Sequence, residues 1–112
     1  MVERILRAVE CVPTGRVVTY GDIAGVVGCG PRQVGGVMAR WGASVAWWRV
    51  VNVRGLLPPA LMARARTHWI DEGVPASVDG GVLLGECRWG VGELARSWAR
   101  ATVDLPGVVA GD

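Results

Sequence analysis

The sequence predicts a mainly α domain with short strands, of the winged-helix/helix-turn-helix type. Three observations carry this. Apolar residues recur at helical spacing in the stretches 2–11, 31–41 and 58–73. The β-branched runs between them are short and bounded by glycine, enough for brief strands only. Two short helices, over 21–28 and 31–41, are joined by a tight turn at Cys29-Gly30, which gives helix-turn-helix proportions.

The first helix, VERILRAVEC, places Val2, Ile5, Leu6 and Val9 on one face, and Pro13 and Gly15 end it. GRVVTYG (15–21) reads as an extended segment or brief strand. GDIAGVVG (21–28) reads as a short helix with Ile23, Val26 and Val27 on one face. Pro31 suits the first position of the next helix, because its missing N–H would be unpaired there in any case. That helix carries Val34, Val37, Met38 and Trp41 at i, i+3, i+4 and i+7. Gly35 and Gly36 lie inside it, and each costs about 1 kcal/mol relative to Ala. Such a pair implies that something presses close to the helix backbone, either another helix or a bound partner.

SVAWWRVVNVRGLLP (44–58) reads as a loop followed by an extended run, with a turn at Arg54-Gly55. Pro58 and Pro59 open a further helix whose face is Leu61, Met62, Ala65 and Trp69, and Gly73 stops it. His68, the sole histidine, lies on that helix and is expected at its surface or edge. A turn at Asp79-Gly80-Gly81 precedes a short strand ending near Trp89, with Val82 and Leu84 alternating. A short amphipathic helix with Leu94 and Trp98 is expected over 93–101, and fraying beyond Asp104. The organisation is one domain over 1–90 followed by a C-terminal tail, 91–112.

Composition narrows the function. The chain has 112 residues, six Trp, one Tyr and no Phe, so its aromatic bulk sits in few places. The net charge of +2 hides an asymmetry. Residues 1–70 hold nine Arg against Glu3, Glu10 and Asp22, a balance of +6; residues 71–112 hold three Arg against seven acids, a balance of −4. A basic first half suits a polyanion. Cys11, Cys29 and Cys87 have no CxxC spacing and no histidine nearby, which argues against a disulfide framework and a zinc site. No apolar run approaches the ~20 residues needed to span a bilayer. A reduced, cytoplasmic protein is expected, with no membrane contact, no metal and no cofactor.

The ordered segments VPTGRVVTYGDIA, PRQVGGVM and AWWRVV, followed by a Gly turn and a helix ending EGVP, resemble the DNA-binding domain of the O6-alkylguanine-DNA alkyltransferases. The resemblance is closer to their non-enzymatic relatives, the alkyltransferase-like proteins, and covers roughly residues 2–89. It implies the C-terminal alkyltransferase type of helix-turn-helix domain, which enters the minor groove. The family's Pro-Cys-His-Arg-Val active-site motif falls on Ala46-Trp47-Trp48-Arg49-Val50. The nucleophile position is therefore Trp47 and the base position Trp48. An indole offers neither a thiolate nor a general base. No catalytic residue is expected.

What the resemblance leaves is binding. It implies that Tyr20 helps rotate the target nucleotide out of the duplex and that Arg32 fills the gap left behind. Gln33, Gly35 and Gly36 complete the DNA-binding set, the glycines allowing close backbone approach. Trp47, Trp48, Arg49 and Val50 would form the alkylguanine pocket, with Arg49 holding the loop and Trp48 packing inward in place of the histidine. Trp41 stands roughly where the family has an asparagine that supports that histidine. Arg54 and Arg64 are candidates for an arginine that senses the base in some relatives. The implied partners are duplex DNA containing alkylated guanine and, downstream, nucleotide excision repair proteins. A monomer is expected, associated with the nucleoid when bound. Two readings compete. A winged-helix transcriptional regulator would need base-edge donors on the 31–41 helix, yet Val34, Gly35, Gly36, Val37 and Met38 offer none. An alkyltransferase using another cysteine would have to recruit Cys11, Cys29 or Cys87.

Overall fold

The computed structural model describes residues 1–105; the chain end expected to fray beyond Asp104 lies, from residue 106 on, outside the described residues. Six helices and one strand pair follow in the order α1 (Val2–Cys11), β1 (Val18–Thr19), α2 (Tyr20–Val27), α3 (Pro31–Trp41), β2 (Val50–Val51), α4 (Pro59–Glu72), α5 (Leu84–Cys87) and α6 (Val91–Ala101).

Local chemistry sets the boundaries. Thr19 and Asp22 form a reciprocal capping box at the start of α2, each side chain taking the other's backbone N–H at 3.0 Å. Gly28 and Gly73 close α2 and α4 in the left-handed conformation, at φ 90° and 72°. Gly55 has no substitute: at φ 77° a Cβ would run into the Val82 carbonyl.

β1 and β2 are parallel, pairing Val18 with Val50 and Thr19 with Val51. Alternation along this short pair divides the core. Val18 and Val50 join Ile5, Val9, Ile23, Val34 and Leu94 on the helical side. Val17 and Val51 join Trp69, Ala65, Leu57 and Val82 on the other. Trp69 donates its indole N–H to the Trp48 carbonyl at 2.7 Å, which ties α4 to the chain just before β2.

One expectation is met in shortened form and one fails. The loop expected from Ser44 includes a turn of 3₁₀ helix, Trp47–Arg49, and the extended run after it is only Val50–Val51. The strand expected to end near Trp89 is replaced by α5, and Val82 makes only a bridge to Ala76. A ladder there has no way to continue. Pro75 accepts from the Leu83 N–H but has none to return, so the chain closes on itself, Cys87 N–H to Leu83 C=O and Arg88 N–H to Leu84 C=O. The Arg88 backbone then bridges to Val17, and its guanidinium pairs with Asp22 at 2.7 Å.

The helix expected inside the 91–112 segment runs Val91–Ala101. Leu94 is fully buried in the helical core. Trp98 donates to the Arg4 carbonyl at 2.9 Å, and Arg7 pairs with Asp104 at 3.0 Å, so α6 is fastened along α1.

Candidate nucleic-acid interface

α3 presents a smooth face. Val34 and Val37 are buried, while Arg32, Gly36 and Ala39 recur at i, i+4 and i+7 and are exposed. Gly35 lies beside this stripe. A Cβ added at Gly35 or Gly36 would meet nothing within 4 Å. Among the described residues, then, no packing partner calls for glycine at either position. The expectation that a neighbouring helix presses there has no support, and the open face leaves room for an external body. Arg32 and Gln33 project from the first turn of this helix, both exposed, and Arg32 forms no salt bridge among the described residues.

The stripe leads into a cavity of about 260 Å³. Gly35, Met38 and Ala39 of α3, and Gly42 and Ala43 just beyond it, form one wall. Leu57, Pro58 and Leu61 form the opposite wall. Tyr20 and Trp47 close it between them, and Arg64 stands at its edge. Tyr20 is the first residue of α2 and half-buried; burial pushes its phenol above the usual range, so the hydroxyl stays protonated. The cavity thus brings together Tyr20, Gly35 and Trp47. Arg32, Gln33 and Gly36 lie outside it on the α3 surface.

Trp48, Arg49 and Val50, expected in the same pocket, do not line it. The 3₁₀ turn points successive side chains in different directions, and only Trp47 faces the cavity. Val50 is fully buried in the strand pair. Trp48 packs inward: its ring stacks on His68, centroids 3.6 Å apart and planes 5° from parallel. Its indole N–H donates to Glu72 at 2.7 Å. Arg49 holds the loop. It donates to both Glu72 oxygens at 3.0 and 2.8 Å, to the Val12 carbonyl at 3.0 Å and to Thr14 Oγ1 at 3.0 Å.

Glu72 is the hub that sequence reasoning missed. Besides Trp48 and Arg49 it accepts the Gly15 N–H at 3.0 Å, joining the 12–15 loop, the tryptophan turn and α4. Burial would raise its carboxyl pKa, but the Arg49 hydrogen bonds, with Gly15 and Trp48, outweigh that and hold it below the ordinary carboxylate value. His68, expected at the surface or edge of α4, lies half-buried there, stacking on Trp48 and meeting Trp47 edge-on at 5.8 Å. The signal was present as spacing: Arg64, His68 and Glu72 recur at i, i+4 and i+8 on one face of α4, and all three touch the tryptophan pair. Trp41 makes no such contact; it is 49% exposed, with the Arg40 guanidinium 5.6 Å from its ring. Arg54 is exposed on the Asn52–Gly55 turn and does not line the cavity.

None of the three cysteines lines the cavity. Burial pushes each of their thiols above its ordinary pKa, which disfavours the reactive thiolate. Among the described residues no group of three His, Cys, Asp or Glu could hold a metal ion, and no helix is long and apolar enough to cross a membrane.

Comparison with known proteins gives the family and the fold. The family model described as "6-O-methylguanine DNA methyltransferase, DNA binding domain" matches residues 1–73. Proteins of Escherichia coli and Shigella flexneri, each called DNA base-flipping protein, are 40% identical over 94 residues, covering 78% of this chain and 72% of theirs. The fold is similar to that of S. pombe Atl1, solved in complex with damaged DNA containing O6-carboxymethylguanine. The TM-score is 0.69 at 33% identity, over 80% of this chain and 94% of that one. The chain belongs to the 6-O-methylguanine DNA methyltransferase family, among its alkyltransferase-like members.

Proposed function

We propose that this protein recognises O6-alkylguanine in duplex DNA, rotates the nucleotide out of the stack and holds it without transferring the alkyl group. One observation carries the reading. The residue at the family's alkyl-acceptor position, Trp47, is a wall of a largely apolar cavity that opens beside the smooth face of α3.

The physics is consistent throughout. α3 approaches the minor groove with Gly35 and Gly36 against the backbone. Tyr20, at the cavity wall, stands where a rotating base would pass. Arg32, exposed at the start of α3, enters the vacated space and neutralises nearby phosphates. Extrusion costs a few kcal/mol, and less for a damaged pair. Stacking of the base on Trp47 returns about 1–3 kcal/mol. No thiol reaches the cavity, and the Trp48 N–H donates to Glu72 where a base would have to accept a proton. The protein therefore keeps the lesion unchanged. A held lesion serves as a flag for nucleotide excision repair, a downstream step that rests on the family resemblance. The protein acts as a monomer in the cytoplasm, on the nucleoid when bound.

The test is a titration of labelled duplexes with and without O6-methylguanine, followed by mass measurement of the protein. Tighter binding to the methylated duplex with unchanged protein mass is expected. Equal affinity for both duplexes, or a protein gaining one methyl group, would overturn the reading.

A further inference from the structure

The Trp47 ring, a wall of the cavity, is held from outside it. Trp48 and His68 stack with centroids 3.6 Å apart and planes 5° from parallel. Trp47 lies 5.6 Å from the first ring and 5.8 Å from the second, its plane at 85° and 81° to theirs. Near-equal distances to two stacked rings place Trp47 beside the stack, against the rims of both, and not over either outer face. Perpendicular packing of this kind suits the charge distribution of aromatic rings. Neither Trp48 nor His68 lines the cavity. The rest of the frame does not use His68: Glu72 takes the Trp48 indole, the Arg49 guanidinium and the Gly15 N–H without it. What the His68 ring meets is the two indoles.

We infer that His68 is a positioning residue for the extruded base: by backing Trp48 it fixes the Trp47 ring at the cavity wall. This rests on the function proposed above, in which the base stacks on Trp47. A ring braced by both members of the stack has its orientation before the base arrives. Stacking then need not first order the indole, and more of its energy remains as affinity. Without His68, Trp48 keeps its hydrogen bond to Glu72 but loses its parallel partner, and Trp47 loses one of its two rim contacts. An aromatic contact of this kind is of the size that changes affinity about 2- to 10-fold. The face proposed to meet any duplex, damaged or not, is on α3, whereas His68 is on α4. The loss therefore falls on the extruded base and not on plain duplex.

The experiment measures affinity for O6-methylguanine and plain duplexes by fluorescence anisotropy of labelled DNA. Wild type is compared with His68→Ala, His68→Leu, His68→Phe, Trp47→Ala and the Trp47→Ala/His68→Ala double variant, each shown to be folded by thermal unfolding. His68→Ala should lower the methylated-to-plain ratio about 2- to 10-fold and leave plain-duplex affinity unchanged. His68→Leu, which keeps bulk but no flat ring, should do the same, and His68→Phe should restore the ratio. In the Trp47→Ala background, His68→Ala should make no further difference, because the ring it positions is gone. An unchanged ratio in His68→Ala and His68→Leu overturns the inference and leaves lesion recognition standing. So does a His68→Ala loss that persists without Trp47, a His68→Phe variant that does not restore the ratio, or an equal loss on both duplexes. A wild-type protein that binds both duplexes alike overturns the proposed function, and this inference with it.

Discussion

Replacing Gly36 by alanine separates the needs of the fold from those of DNA. Gly36 is in the middle of α3, away from either end. It is not among the positive-φ glycines, and an added Cβ meets nothing within 4 Å. The methyl group is therefore free of strain, and alanine's better helix propensity should stabilise the protein by about 0.5–1 kcal/mol. For a domain of this size that raises Tm by roughly 2–6 °C. The same methyl group stands on the face proposed to lie against the sugar-phosphate backbone. Forcing it into a close interface costs about 1–3 kcal/mol, or roughly 5- to 150-fold in affinity. Thermal unfolding and duplex titration of one preparation read both effects. A more stable variant that binds DNA as before would refute close approach by α3, and a less stable one would refute the open space at Gly36. Gly35→Ala should stabilise similarly, but because Gly35 lines the cavity it should also weaken discrimination between adduct and plain guanine.

Arg32→Ala should weaken binding to an O6-methylguanine duplex at least tenfold, on the scale of a few kcal/mol for leaving an extruded base's gap unfilled, without changing Tm; anisotropy and thermal melts check both. Trp47→Ala should lose about 1–3 kcal/mol of adduct binding with little loss of stability. Trp48→Ala should destabilise the fold by about 2–4 kcal/mol, as its half-buried ring leaves a void and strands a Glu72 contact; a urea series on the two variants would show the division reversed if the assignment of the two rings is wrong. His68→Ala should increase solvent exposure of tryptophan fluorescence, and His68→Phe should restore it by supplying another ring to Trp48. The carboxyls of Asp22 and Glu72, raised by burial but lowered further by Arg88 and Arg49, titrate below their unfolded values. The unfolded chain then takes up protons first, so the stability they contribute is complete above about pH 4.5 and lost as the pH falls through the folded values; the urea midpoint of Glu72→Gln should be lower at neutral pH and fall less steeply with acid.

The helices were legible because their apolar spacing, prolines and glycines are local signals. The strand pair was less so. Val18–Thr19 and Val50–Val51 are two residues each, and nothing local pairs segments about thirty residues apart. α5 was misread because Val82 and Leu84 alternate, whereas the absence of an N–H at Pro75 decides the matter from outside the segment. The face proposed to meet DNA was named from the motif order in PRQVGGVM, and the cavity residue Trp47 from its place in AWWRVV. Trp47, Trp48, Arg49 and Val50 were grouped as one pocket because adjacency in sequence says nothing of direction. In the 3₁₀ turn one faces the cavity and two face α4. Glu72 and His68 had no visible partners until the turn landed on that helix.

On the proposed correspondence, which sets Trp48 at the family's histidine position, the exchange would remove chemistry while keeping shape. A histidine has a nitrogen that donates and one that accepts; an indole donates only. Trp48 donates its single N–H to Glu72, at 2.7 Å, and so binds the turn to α4. An indole has no accepting nitrogen, the kind of atom that could take a proton from a nucleophile. The larger ring also needs a surface to lie on, and His68 supplies it at 3.6 Å. Glu72 meanwhile keeps Arg49 and the Gly15 amide, so the loop behind the cavity is held with nothing left buried and unpaired. The carboxylate that sequence alone would leave as a surface acid at the end of α4 is thus the structural reason that two adjacent tryptophans can share this turn, one facing the cavity and one the frame.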